Sequence, residues 1–140
     1  KFGMASPIHT FNQQAKSLAL IKLFKENNTN LYQRDFINVK DINEFISLIL
    51  PRKDFNGIYD VGTGNPTTFN EIASQIGLWW KGKGKHIDIE EIDFPDDLVG
   101  SYQGYTCANM KYLSYLQIGW KPLFTIEGIQ EYLDSANIVE

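Results

Sequence analysis

Arg34 and Asp35 stand side by side just ahead of Phe36-Ile37-Asn38-Val39. An arginine directly before a strand can hold a phosphate bidentately. It can equally pair with Asp35 or Asp41 in a structural network, and spacing leaves both readings open. Tyr102 and Tyr105 follow Phe94 in a loop rich in aromatics and turn residues. They can stack on a base or hydrogen-bond a phosphate, or they can pack into a core. Gly62-Thr63-Gly64 follows the strand-like Ile58-Tyr59-Asp60-Val61, but a dinucleotide fingerprint needs a third glycine where Thr67 stands. The pair therefore reads as a structural turn. No tyrosine has a lysine four residues later, so a Tyr-x-x-x-Lys proton relay is absent. His9 and His86 lie on different elements without partners at metal spacing, and no metal site is expected. Trp79 to His86, WWKGKGKH, reads as a basic solvated connection, with a phosphate grip as the alternative. Cys107 has no flanking base and reads as a buried or semi-buried thiol.

These residues need a scaffold, and the stretch 31–64 suggests one. Phe36, Ile37 and Val39 predict a strand. Asp41 with Glu44 predicts a capping box, and Ile42, Phe45, Ile46 and Ile49 give the following helix an apolar stripe that Pro51 ends. Ile58, Tyr59 and Val61 predict a second strand, so strand, helix and strand imply a parallel pair in an α/β sheet. Upstream, Ser6 and Pro7 open a helix with Ile8, Phe11, Ala15 and Leu18 at helical spacing, and Leu20 to Phe24 reads as a short strand. Downstream, Thr68 and Glu71 form another capping box. Phe69, Ile72, Ala73 and Ile76 are the buried face of that helix, and Gly77 stands where a terminal glycine would. Ile87, Ile89 and Ile92 suggest a strand with one solvated face. A helix over 109–116 turns Met110, Leu113 and Leu116 inward, and Thr125 caps a last helix that buries Ile126, Ile129 and Leu133.

The 140 residues carry a net charge of −4, which argues against a general nucleic-acid binder. Hydrophobic residues at 43% and charged residues at 21% are ordinary for a globular domain. One cysteine excludes an internal disulfide and favours a reducing compartment, with the cytoplasm as the expected location. No apolar run is long enough to span a membrane. The chain shows no repeat or linker, so residues 1–140 are expected to form a single domain. A helix almost at residue 1 suggests a fragment of a longer polypeptide.

Four segments together resemble one family. They are K-F-G-M-A-S at Lys1 to Ser6, Q-R-D-F-I-N-V-K-D at Gln33 to Asp41, Y-D-V-G-T-G at Tyr59 to Gly64, and F-P-D-D-L-V-G-S-Y-Q at Phe94 to Gln103. The second and third recur across extended short-chain dehydrogenase/reductases. The first and last are similar to the ADP-glycero-manno-heptose 6-epimerases. The resemblance runs from Lys1 to about Leu133 and corresponds to the C-terminal substrate-binding region of a member, with the Rossmann half lying outside this chain.

That resemblance implies epimerisation at C6″ of ADP-D-glycero-D-manno-heptose for lipopolysaccharide core. NADP, bound mainly by an N-terminal Rossmann domain, would oxidise C6″ to a ketone and return the hydride to the opposite face. The fragment alone, without the Tyr-x-x-x-Lys pair, would be inactive. Lys1 matches the family's second base and a cofactor contact, and a lysine base needs a pKa lowered towards the working pH. Arg34 and Tyr102 match contacts to the nucleotide, and Phe24, Lys25, Glu26 and Asn27 match the loop along the adenosine side. Gly3 stands where a substrate-contacting serine is common, and Thr10 where a histidine is, with His9 one position earlier. The loop before Arg34 is about two residues longer than the family pattern. The implied partners are an ADP-sugar, the chain's own Rossmann domain and further copies in a homo-oligomer. The rival readings are another nucleotide-sugar epimerase or dehydratase of the extended class, a non-catalytic sugar-nucleotide-binding module, and a structural interaction domain.

Overall fold

The computed structural model describes residues 5–25, 32–96 and 102–138. Helix α1, Pro7–Leu18, starts with proline at its first position, where a missing N–H loses nothing. The Ser6 hydroxyl makes no cap bond; only its carbonyl is used, accepting the Thr10 N–H at 3.0 Å. Ala19, in the left-handed region, ends the helix and turns the chain into β1, Leu20–Phe24. Along β1, Ile21 and Leu23 enter the core while Lys22 stays exposed. Its partner is β4, Asp88–Ile92, in parallel register from Leu20 opposite Asp88 to Phe24 opposite Ile92.

The α/β class holds, but the parallel pair is not the one expected. Residues 36–38 are irregular, and the only strand nearby among the described residues is β2, Gln33–Arg34, antiparallel to β3, Thr67–Thr68. Ile58 to Val61 forms no strand, and Ile58 is 100% exposed. A strand-forming sequence needs an adjacent edge for its N–H and C=O groups, and among the described residues none lies beside this segment.

Helix α2, Val39–Ile49, is capped by Asn38, whose side chain accepts the Lys40 N–H at 3.0 Å. Asp41 is therefore not the cap. It is buried in the first turn, where its carboxylate accepts the Leu123 N–H at 3.2 Å. Pro51 follows directly beyond the helix end, as expected. Helix α3, Phe69–Gly82, keeps the expected capping box: Thr68 Oγ1 accepts from the Glu71 N–H at 3.1 Å, and Glu71 Oε2 accepts from the Thr68 N–H at 2.9 Å. The helix passes straight through Gly77 and takes in Trp79 and Trp80, which the sequence had placed in a connection. Short α4, Lys111–Tyr115, buries Leu113. Helix α5, Thr125–Ala136, buries Ile129 and Leu133 but leaves Ile126 42% exposed, and its cap position is Phe124 instead of Thr125.

α3 is the centre of the packing. It touches α1, α5 and β1, and its Phe69, Ile72, Ala73 and Ile76 join Phe11, Ala15, Ile21, Leu23, Ile129 and Leu133 in one core. Inside that core lies fully buried Asn12, whose Oδ1 accepts from Trp80 Nε1 at 3.1 Å and from Asn137 Nδ2 at 3.3 Å. This ties α1 to the ends of α3 and α5. Asn12→Leu removes the acceptor and leaves a half-buried indole N–H unmatched, so it should lower stability by about 2 kcal/mol. A urea midpoint unchanged in Asn12→Leu would show that the network is dispensable.

Candidate functional site

Arg34 and Asp35 face different tasks. The Asp35 carboxylate closes the V-G-T-G turn: Oδ1 accepts the Thr63 N–H at 2.8 Å and its hydroxyl, and Oδ2 accepts the N–H groups of Gly64 and Ala108, each at 2.9 Å. Burial pushes this carboxyl's pKa up, but the Thr63 hydroxyl and the N–H groups of Ala108, Thr63 and Gly64 outweigh it, and the net shift is downward. A Cβ at Gly62 would lie 2.6 Å from both Asp35 Oδ2 and the Ala108 Cβ. Gly64 adopts φ +69°, which favours glycine. The inside of this turn is filled by protein, so the two glycines are structural and form no cradle for a dinucleotide phosphate.

Arg34 faces the aromatic side. Its guanidinium carbon lies 5.3 Å from the Tyr102 ring centre and 5.9 Å from that of Phe69. It donates to the Gln33 carbonyl at 3.0 Å and to the Gln103 carbonyl. Gln33 holds the same loop by main-chain bonds, donating to the Gly104 carbonyl at 2.9 Å and accepting from the Thr106 N–H at 3.1 Å. Among the described residues Arg34 forms no ion pair, so neither Asp35 nor Asp41 is its partner. Around Tyr102 the rings of Tyr32, Phe94 and Phe24 follow one another: Tyr32 stacks on Phe94 at 5.2 Å, and Phe24 meets Phe94 edge-on at 5.1 Å.

A cleft of about 230 Å³ opens beside this cluster. Thr10 and Gln14 of α1, Lys22 and Phe24 of β1, and Phe69 and Tyr102 are on its walls. The structure thus brings Thr10, Phe24 and Tyr102 to one cavity, with Arg34 stacked behind Tyr102. Lys25 turns outward and pairs with Asp93 at 2.8 Å, and the hydrogen bond to that carboxylate raises the pKa of the ammonium. His9 points elsewhere, its Nδ1 2.8 Å from the Tyr132 hydroxyl in a separate apolar groove. Lys1, Gly3, Glu26 and Asn27 lie outside the described residues. Cys107, expected to be at least half-buried, is exposed. Tyr105 is 58% exposed and lines none of this cleft. Gln14 and Lys22 were not singled out in the sequence; the signal was β1's alternation, which puts Lys22 on the face of Phe24.

The fold is that of epimerases of the extended short-chain dehydrogenase/reductase class, over about two fifths of their length. The crystal structure of the Helicobacter pylori ADP-L-glycero-D-manno-heptose-6-epimerase matches 99% of the chain with a TM-score of 0.75 at 22% identity, over 40% of its own length. The Thermus thermophilus UDP-glucose 4-epimerase, solved in complex with NAD, matches 98% of the chain with a TM-score of 0.70 at 23% identity, over 42% of its own length. No protein-family model matches.

In sequence the chain is a relative of the ADP-L-glycero-D-manno-heptose-6-epimerases. That of Alkalilimnicola ehrlichii is 34% identical over 140 residues, covering 96% of this chain and 42% of the relative. That of Brachyspira hyodysenteriae is 35% identical over 136 residues, covering 96% of this chain and 40% of the relative. The chain spans about two fifths of the length of these curated relatives.

Proposed function

We propose that this chain is the substrate-binding part of an enzyme that inverts C6″ of ADP-D-glycero-D-manno-heptose, in the cytoplasm, for lipopolysaccharide core. The observation that carries the reading is the single cleft shared by Thr10, Phe24 and Tyr102, backed by Arg34, in a chain similar along nearly its whole length to named heptose epimerases. The rings of Phe24 and Tyr102 offer faces to adenosine. Arg34 uses its fork to hold the Tyr102 loop, and its remaining N–H donors are left for ribose or phosphate oxygens. These contacts fix the ADP end, and by family resemblance Lys1 is the candidate second base and Gly3 a candidate sugar contact.

The turn at Gly62 and Gly64 does not fit a dinucleotide phosphate, since it is closed on Asp35. We assign NADP, which supplies a reversible hydride acceptor, to a Rossmann domain of the same polypeptide, and we expect the assembled enzyme to be a homo-oligomer. The test is to incubate the intact protein with ADP-D-glycero-D-manno-heptose and follow C6″ by proton NMR, with UDP-galactose in parallel. Inversion of the heptose alone supports the reading. Turnover of UDP-galactose alone discards the heptose and keeps the nucleotide-sugar class.

A further inference from the structure

Lys22 is the one charged residue among the described residues of the cleft. Its neighbours Ile21 and Leu23 are in the core, so strand alternation turns Lys22 to the same side as Phe24. Its main-chain N–H donates to Gln14 Oε1 at 3.0 Å, which fixes this point of β1 against α1. The β1–β4 register puts Glu90 opposite, yet among the described residues Lys22 forms no ion pair. Arg34, the other cation nearby, is stacked between two rings and donates to two carbonyls. The cleft therefore combines aromatic and aliphatic walls (Phe11, Phe24, Phe69, Ile92, Tyr102) with one uncommitted ammonium. Such a site suits a ligand that is flat and apolar at one end and anionic at the other.

We propose that Lys22 is a specificity-determining contact whose ammonium donates to the diphosphate of the bound nucleotide sugar. This rests on the nucleotide-sugar reading above and adds a residue to it. An ammonium beside a phosphate acts as a compact point charge, selecting anionic ligands over the neutral nucleoside. Arg34 then serves first to hold the wall on which the nucleoside lies, and Lys22 reads the charge.

The test compares binding of ADP and adenosine to the intact protein, as wild type, Lys22→Met and Lys22→Arg, by calorimetry at two ionic strengths. In Lys22→Met, ADP should bind about tenfold or more weakly, adenosine should bind as before, and the melting temperature should not move. Lys22→Arg should recover most of the ADP affinity, and the salt dependence of ADP binding should be smaller in Lys22→Met. Unchanged ADP affinity in Lys22→Met overturns the assignment. So does an equal loss for ADP and adenosine, which would make the side chain a nucleoside contact. If wild type binds neither ligand, the nucleotide-sugar reading itself falls, and Lys22's role with it.

Discussion

Asp35→Asn should lower folding stability by about 3 kcal/mol, because two donors would face an amide NH₂ in place of an acceptor. Each carboxylate oxygen of Asp35 takes two donors, Oδ1 from Thr63 and Oδ2 from Gly64 and Ala108. An asparagine can satisfy one side only, whichever way its amide is turned. The pH dependence follows from the same contacts. The folded carboxyl has a pKa below its unfolded one, because the donors favour the charged form. Its stabilisation is complete above the unfolded pKa of about 3.9 and is lost as pH falls through the folded value. The check is urea unfolding as a function of pH. Wild type should lose stability below that point, and Asp35→Asn should show a flatter acid limb. A loss under about 1 kcal/mol with an unchanged acid limb would mean that water replaces the carboxylate at this half-exposed site.

Arg34→Ala carries the second large effect, and it should strike binding and stability together. The side chain is held between Tyr102 and Phe69 and anchors the Gln103 carbonyl. Its removal forfeits cation–π contacts and charge-assisted bonds and frees one wall of the cleft, so stability should fall by about 2 kcal/mol. Affinity for the ADP-sugar should fall by roughly a hundredfold if the proposed function holds, because the support of the Tyr102 wall and the proposed phosphate contact are lost together. Arg34→Lys keeps the charge but not the planar fork, and should rescue neither quantity well. Tyr102→Phe keeps the ring packing and should weaken ADP-sugar binding with little change in melting temperature. Loss of stability in Arg34→Ala with ADP-sugar affinity intact would leave Arg34 a purely structural residue.

How far the chain could be read in advance depended on whether a signal was local. The Thr68–Glu71 box was legible because both bonds close within four residues. Asp41 misled for an instructive reason: its carboxylate is taken by the distant Leu123 N–H, so Asn38 three residues earlier does the capping. Gly77 failed as a stop because Ile76 is fully buried on one side of it and the Trp79 and Trp80 indoles bond to Asp134 and Asn12 on the other. That packing exceeds the helix penalty of one glycine, about 1 kcal/mol. The strands expected at 36–39 and 58–61 have the right residues, but strand formation is decided by a neighbouring edge, which no local pattern encodes. At the candidate site, Arg34 and Tyr102 stood out by residue type and position, and Thr10 and Phe24 through family resemblance. Their meeting in one place was not legible, because it depends on α1, β1 and the loop after Phe94 converging. Lys22 was invisible to motif reading and became visible only when β1 showed which side it faces.

The parallel strands β1 and β4 bring Leu20 against Asp88, so one sheet joins residues far apart in the order of synthesis. While a ribosome extends the chain between them, Ile21 and Leu23 have no strand partner and α1 has no α3 to lean on. Distant pairings of this kind form slowly, because the intervening loop must close before any contact rewards it. Until Ile92 has emerged, the apolar face of β1 is exposed and prone to aggregation. Pulse-labelled hydrogen exchange during refolding should show the amides of β1 and β4 becoming protected in one step. Protection of β1 well ahead of β4 would contradict this order of assembly.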